Sequence, residues 1–339
     1  MKLIKKLIFL FIILMLIISF SNFNSNSTVA EGQTVVDMVG REVEVPTEIN
    51  RIVTTYNTAT QFIFALGAED KLVSGAKHSS LQKLSTMLNP ELQELPDVGS
   101  RREGVNLEQI IALQPDLVIL FPYNDGPRAA EKLEEQGITS IIIKPEDYQQ
   151  IKETNKLLGK VLQLEEKAKK INKQYTQILQ LSKEVAQLSD EKKTVYFGNS
   201  HLLDTVGKGM LQTSLIELAG GINPAKEAKD GFMKISLEQL ITWNPDVIIL
   251  SQCYRGQIKE LKEMPEYQTI TAVREGKIYR IPSNLEPWDF PSPSSYLMIP
   301  WLSEKLYSDE FIDIEVERIV DDFYYEVYGE RFSELDGQL

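Results

Sequence analysis

The sequence predicts an α/β protein: two Rossmann-like lobes with parallel sheets, bridged by one long α-helix. Three observations carry this prediction. Residues 106–120 (NLEQIIALQPDLVIL) and 236–250 (SLEQLITWNPDVIIL) are identical at eight of fifteen positions. In each copy the last four residues, Leu117–Leu120 and Val247–Leu250, form an unbroken apolar run, as a strand buried on both faces of a parallel sheet requires. Between the copies lies a long Pro-free stretch whose apolar residues recur at helical spacing. These features divide the chain into a leader over 1–30, a first lobe over 31–145, a connecting helix over 146–189 and a second lobe over 190–339.

The leader sets the compartment. Lys2, Lys5 and Lys6 precede an apolar run from Leu7 to Ile18, and small and polar residues follow to Ala30. This is the layout of a secretory signal, with cleavage expected after Ala30. An uncleaved anchor is the alternative, since the run is near the lower limit for spanning a bilayer. No cysteine lies near the cleavage region, so N-terminal lipidation has no acceptor. The expectation is export to the periplasm or to the outer face of the cytoplasmic membrane.

Composition narrows the function. There are 49 acidic and 36 basic side chains, a net charge of -13. That balance argues against sequence-independent nucleic-acid binding, which relies on clustered cations. Cys253 is the single cysteine, which excludes an intramolecular disulfide and any cysteine-cluster metal site. It reads as a small buried residue. Two histidines, His78 and His201, leave no HExxH zinc motif. No P-loop, GxGxxG or Ser-His-Asp order is present, and the chain is expected to act as a monomer without an intrinsic cofactor.

Each element has a local reason. In the first lobe, Ile52–Thr55 and Leu72–Gly75 read as strands around a helix that ends at Leu66, with Gly67 at the position after the cap. Asn106 and Ser236 can cap the repeated helices, with Gln109 and Gln239 three residues on. Pro115 and Pro245 end those helices by pushing the preceding residue out of the α region. Arg128–Gln136 reads as a helix and Ile138–Ile143 as a strand. The connector runs from about Asp147 to Leu188, interrupted only by Gly159. At about 1.5 Å per residue, forty residues of continuous helix would reach about 60 Å, and a break within it is plausible. In the second lobe Thr194–Phe197, Val247–Leu250 and Ile278–Ile281 read as strands. Met210–Leu218 reads as a helix stopped by Gly220-Gly221.

In open α/β sheets ligands bind beyond the carboxyl ends of the strands. In the first lobe those ends lead into Tyr56 and Asn57, Lys77 and His78, and Tyr123, with Arg101 and Arg102 preceding the repeated helix. In the second lobe they lead into His201, into Tyr254 and Arg255, and into the Pro282–Pro293 segment with Trp288 and Asp289. Phe232 precedes the second repeated helix. The basic residues can pair with anionic oxygens, Arg bidentately. Tyr56, Tyr123 and Tyr254 can stack on a ligand, coordinate ferric iron when deprotonated, or simply pack. His78 and His201 can ligate one metal from two sides or serve as hydrogen-bonding loop residues. Trp288 is expected to line the cleft. Asp289 binds ligand or caps a helix starting near Ser294.

Several motifs in order resemble a known family. They are Asp37–Pro46 (DMVGREVEVP), Arg51-Ile52-Val53, Phe64–Ala68, Asp97-Val98-Gly99, both LEQ…PD units, Leu215–Asn223, and Pro287–Pro293 followed by Trp301-Leu302 and Lys305-Leu306-Tyr307. Over nearly all of the mature chain this resembles the substrate-binding proteins of ATP-binding cassette importers for iron–siderophore complexes, haem, cobalamin and some metal oxyanions. The resemblance implies two lobes on a rigid helical backbone, a metal-containing ligand as cargo, and delivery to a membrane permease and its ATPase. It also implies one acidic permease-docking residue per lobe, for which Glu131 and Glu263 are candidates. The runner-up is an enzyme of similar bilobal shape, a tetrapyrrole metal chelatase using His201 or His78 as base beside Glu103. The secretory leader counts against it.

Overall fold

A computed structural model describes residues 32–74, 83–100, 104–123, 125–187, 191–228, 230–282, 284–308 and 315–339. The expected leader lies outside them. Among the described residues no helix is long and apolar enough to cross a membrane.

The first lobe opens with an antiparallel hairpin, β1 (Gln33–Val36) and β2 (Glu42–Val45). Then follow β3 (Ile52–Thr54), α1 (Asn57–Leu66), β4 (Leu72–Ser74), α2 (Lys83–Leu88), and a short hairpin of β5 (Gly99–Ser100) and β6 (Gly104–Val105). The lobe ends with α3 (Leu107–Ala112), β7 (Leu117–Leu120), α4 (Gly126–Glu135) and β8 (Ser140–Ile142). Its sheet is wholly parallel in the order β4-β3-β7-β8.

Two further helices, α5 (Tyr148–Val161) and α6 (Glu165–Ala186), lead into the second lobe. That lobe contains β9 (Val195–Gly198), β10 (Asp204–Val206), α7 (Leu211–Leu218), β11 (Phe232–Lys234), α8 (Leu237–Trp243) and β12 (Val247–Leu250). It continues through α9 (Ile258–Glu263), α10 (Thr271–Arg274) and β13 (Ile278–Arg280) to α11 (Met298–Leu306) and α12 (Val316–Tyr328). Its sheet is parallel in the order β13-β12-β9, extended past β9 by a parallel bridge from Thr194 to Ile222. The two repeated segments therefore lie in separate sheets with matching neighbours.

The repeat has a physical reason. Asn106 Oδ1 accepts from the Gln109 N–H at 3.1 Å, and Ser236 Oγ from the Gln239 N–H at 3.2 Å, so both helices are capped as expected. Each helix ends in a left-handed residue, Gln114 (φ 47) or Asn244 (φ 39). The Asp after each Pro then staples the neighbouring strand. Asp116 Oδ2 accepts from the Asn50 and Arg51 N–H groups at 2.8 and 2.9 Å. Asp246 Oδ2 accepts from the Thr194 N–H and hydroxyl, both at 2.8 Å. β7 and β12 are buried at every position.

The connector carries the break that its length makes plausible, so it is two helices rather than one continuous helix over 146–189. α5 and α6 fold back on each other: Asn155 donates to the Tyr175 hydroxyl at 3.2 Å, Asn172 to the Lys152 carbonyl at 3.1 Å, and Lys152 to Thr176 at 3.3 Å. The break is at Gln163, whose φ is 59, and the Leu164 N–H closes it on the Gly159 carbonyl at 2.7 Å. Gly159 permits the close approach, since a Cβ there would meet the Ala168 Cβ at 2.5 Å. The long helix joining the lobes is α6 alone, about 33 Å at 1.5 Å per residue.

The C-terminal segment returns to the first lobe. α12 packs on α1 and α6, and the 3-10 turn Pro293–Leu297 packs on α1, α5 and α6. Tyr296 stacks on Tyr175 at 3.9 Å, and the Leu84 N–H donates to the Leu285 carbonyl at 3.1 Å. The segment from Asn284 to Ser292 is a crossover tied to both lobes, to the second through Gln212, which donates to the Asp289 carbonyl.

Candidate functional site

The carboxyl ends of the first lobe's strands carry aromatics. Tyr56, extended at φ -159, precedes α1, and Asn57 starts that helix. The Tyr56 ring lies 4.7 Å from Phe121, just past β7, and Phe121 lies 4.9 Å from Tyr123. Tyr56 and Phe121 are buried, whereas Tyr123 is 41% exposed. The three rings form an apolar wall whose outer member faces solvent. Phe121 was not anticipated as a site residue. Lys77, His78, Arg101, Arg102, Asn124 and Glu103 lie outside the described residues.

The second lobe's tips are polar and held by backbone contacts. After β9, the Asn199 N–H donates to the Asp204 carbonyl at 2.7 Å, and the Arg255 N–H donates to the Ser200 carbonyl at 3.1 Å. These bonds bring the loops after β9 and β12 side by side. The Asp204 carboxylate lies 3.0 Å from His201 Nδ1 and 3.8 Å from Lys234 Nζ. His201 is therefore oriented by a carboxylate while its side chain stays 64% exposed. Phe232, on β11, is 62% exposed. Arg280 at the end of β13, also unanticipated, organises the neighbouring loop. Its guanidinium donates to the carbonyls of Ser251, Tyr254 and Gly256 at 3.1–3.3 Å and lies 5.6 Å from the Tyr254 ring centre. Tyr254 is half-buried against the second lobe's core, and burial raises its phenol pKa.

Asp289 brings a carboxyl to the same end of the sheet. It is buried; burial pushes its pKa up to about 6, against hydrogen bonds from Ser251 and the Gln252 backbone. Gln212 on α7 donates to the Asp289 carbonyl at 2.8 Å. Asp289 Oδ1 and Gln212 Oε1 are buried without a hydrogen-bond partner among the described residues. Such groups call for a polar partner. The alternative role expected for Asp289, capping the helix near Ser294, has no such bond among the described residues; that turn starts after Ser292 with no side-chain cap.

Two expectations are corrected. Trp288 does not line an open face: it is fully buried, its Nε1–H donates to the Tyr324 hydroxyl at 3.4 Å, and its ring lies 5.7 Å from Phe332. Its Pro-rich surroundings are covered by α12, which turns a loop position into core. Cys253 is exposed rather than buried, with its thiol pKa raised first by partial burial and then by Asp289. Among the described residues no group of three His, Cys, Asp or Glu side chains is placed to hold a metal ion. Glu131 and Glu263 both lie on exposed helical faces.

The family model described as "Periplasmic binding protein" matches residues 52–285, more than half the chain. The chain is 25% identical over 317 residues to the molybdate-binding protein MolA of Haemophilus influenzae, covering 87% of this chain and 90% of MolA. It is 25% identical over 207 residues to the vitamin B12-binding protein of Vibrio cholerae, covering 61% of this chain and 72% of that one. A periplasmic solute binding protein from Veillonella parvula superposes with a TM-score of 0.79 at 27% identity, over 90% of this chain and 98% of the other. With its two parallel sheets and joining helix, the chain belongs to the periplasmic binding protein family.

Proposed function

We propose that the chain is the extracytoplasmic substrate-binding receptor of an ATP-binding cassette importer, holding a metal-containing anionic ligand between its lobes and passing it to a membrane permease. The family match supports the receptor class. The observation that carries the cargo reading is the pairing of tip chemistries: the wall of Tyr56, Phe121 and Tyr123 in one lobe, and Arg255, on the loop bonded to Ser200 next to His201, in the other. A compact metal oxyanion is the first cargo to test, because the molybdate-binding relative aligns over 87% of the chain. A bulkier metal chelate is the second reading, favoured by the aromatic wall and by the vitamin B12-binding relative.

Among the mature chain's basic candidates, Arg255 and His201 stand at described tips and can meet anionic oxygens. The receptor acts as a monomer without an intrinsic cofactor, and no chemical step is assigned to it. Isothermal titration of the purified protein against molybdate, tungstate, sulfate, cobalamin, haem and a ferric siderophore tests this. One saturable binder without turnover is the expected result. Metal insertion into a free porphyrin would replace the receptor reading with the chelatase.

A further inference from the structure

The crossover segment carries a second buried carboxyl, three residues before Asp289. Glu286 is 1% exposed. Its Oε1 accepts from the Ser294 hydroxyl, from Tyr324 at 3.2 Å and from Tyr328 at 3.1 Å. Its Oε2 is buried without a hydrogen-bond partner among the described residues. The groups around it come from three elements: Ser294 from the turn after the crossover, Tyr324 and Tyr328 from α12, and Tyr175 from α6. All are hydroxyls. Among the described residues no Lys, Arg or His forms an ion pair with Glu286.

This arrangement suits two protonation states unequally. A neutral carboxyl can accept from some of these hydroxyls and donate to another, since a hydroxyl does both. An ionised carboxylate keeps its donors on one oxygen and leaves a buried charge with no counter-ion, which is costly. Glu286 also sits where the lobes meet. Its neighbour Leu285 is bonded to Leu84 of the first lobe, Asp289 reaches the second lobe's tips, and α12 covers α1, which begins at Asn57.

We propose that Glu286 is a proton-operated clamp: neutral, it fastens α12 to the crossover between the lobes, and ionised, it loosens that hold. Burial pushes this carboxyl up to about 7, against the pull of the three hydroxyls. A raised acid keeps its proton in the folded protein over a range where the unfolded chain has lost it. The stability Glu286 contributes is therefore fully present below the ordinary value of 4.5 and is lost as pH rises toward about 7.

The test is the thermal midpoint and the amide hydrogen exchange of residues 316–328 across that range, with exchange corrected for its intrinsic pH dependence. In the wild type the midpoint should fall, and α12 exchange should quicken by up to roughly tenfold per pH unit. Glu286→Gln should flatten both trends above about 6, where Asp289 no longer titrates. Asp289→Asn should keep the fall above about 6, because Asp289 titrates lower. Tyr328→Phe removes one donor to the carboxylate and should move the transition to higher pH, a readout that does not depend on Glu286→Gln folding. A Glu286→Gln profile with the wild-type slope, or a Tyr328→Phe transition at unchanged pH, would overturn the clamp.

Discussion

The two lobes share a scaffold and part at their strand tips. In both, a capped helix runs into a left-handed residue, a Pro, and an Asp that staples the adjacent strand. In both, the central strand after that Asp is buried throughout. Beyond the strands the first lobe offers ring against ring, Tyr56 to Phe121 to Tyr123. The second offers carbonyls gathered by Arg280 and a carboxyl delivered by the crossover. The residues that repeat are those the backbone geometry needs, and the residues that differ are those the proposed cargo would meet. One framework can thus present an apolar wall and a polar wall to one cargo.

The sharpest way to break this comparison is at the crossover that brings the carboxyl to the second lobe's tips. Trp288→Ala should cost about 3–5 kcal/mol in chemical denaturation, because it empties a fully buried site. A loss below about 1 kcal/mol, with weakened cargo binding, would return Trp288 to the cleft. Next come the staples. Asp116→Ala and Asp246→Ala should each cost about 1–2 kcal/mol, since each strands two donors. Clearly unequal losses would show that the lobes are not mechanically equivalent.

The left-handed residues should give opposite signs. Gln114→Gly relieves a backbone that a β-carbon disfavours, and should gain up to about 1 kcal/mol. Asn244→Gly also removes the acceptor of the Thr271 N–H at 2.8 Å, and should lose stability. The smallest effect on folding is expected at the apolar wall's outer member. Tyr123→Ala should shift stability by no more than about 0.5 kcal/mol while lowering cargo affinity measured by titration calorimetry.

The scaffold was legible in the sequence because its signals are local. Caps, helix-ending prolines and continuous apolar runs each act within a few residues, so the repeated units fall where expected, to within a residue or two at other strand ends. A break in the connector was legible from its length, but not its place: the turn between α5 and α6 rests on Gln163, a residue type that rarely signals a left-handed stop. Residue types at the tips could be read, but not their company. Tyr56 meets Phe121 across the sheet, and Arg280 reaches back to a loop some 25 positions earlier. Trp288 shows the limit most clearly. Its Pro-rich neighbourhood reads as cleft lining, and Tyr324 and Phe332, far along the chain, make it core.

The return of α12 onto α1 has a consequence for how the molecule is made. A chain that leaves the ribosome or a translocation pore from its N-terminus presents the α1 face long before its cover exists, because that cover is α12, which starts at Val316. That face therefore stays partly unsealed until α12 has been made. A protein arrested just short of Val316 should be held by chaperones and cut by proteases at sites its finished form conceals.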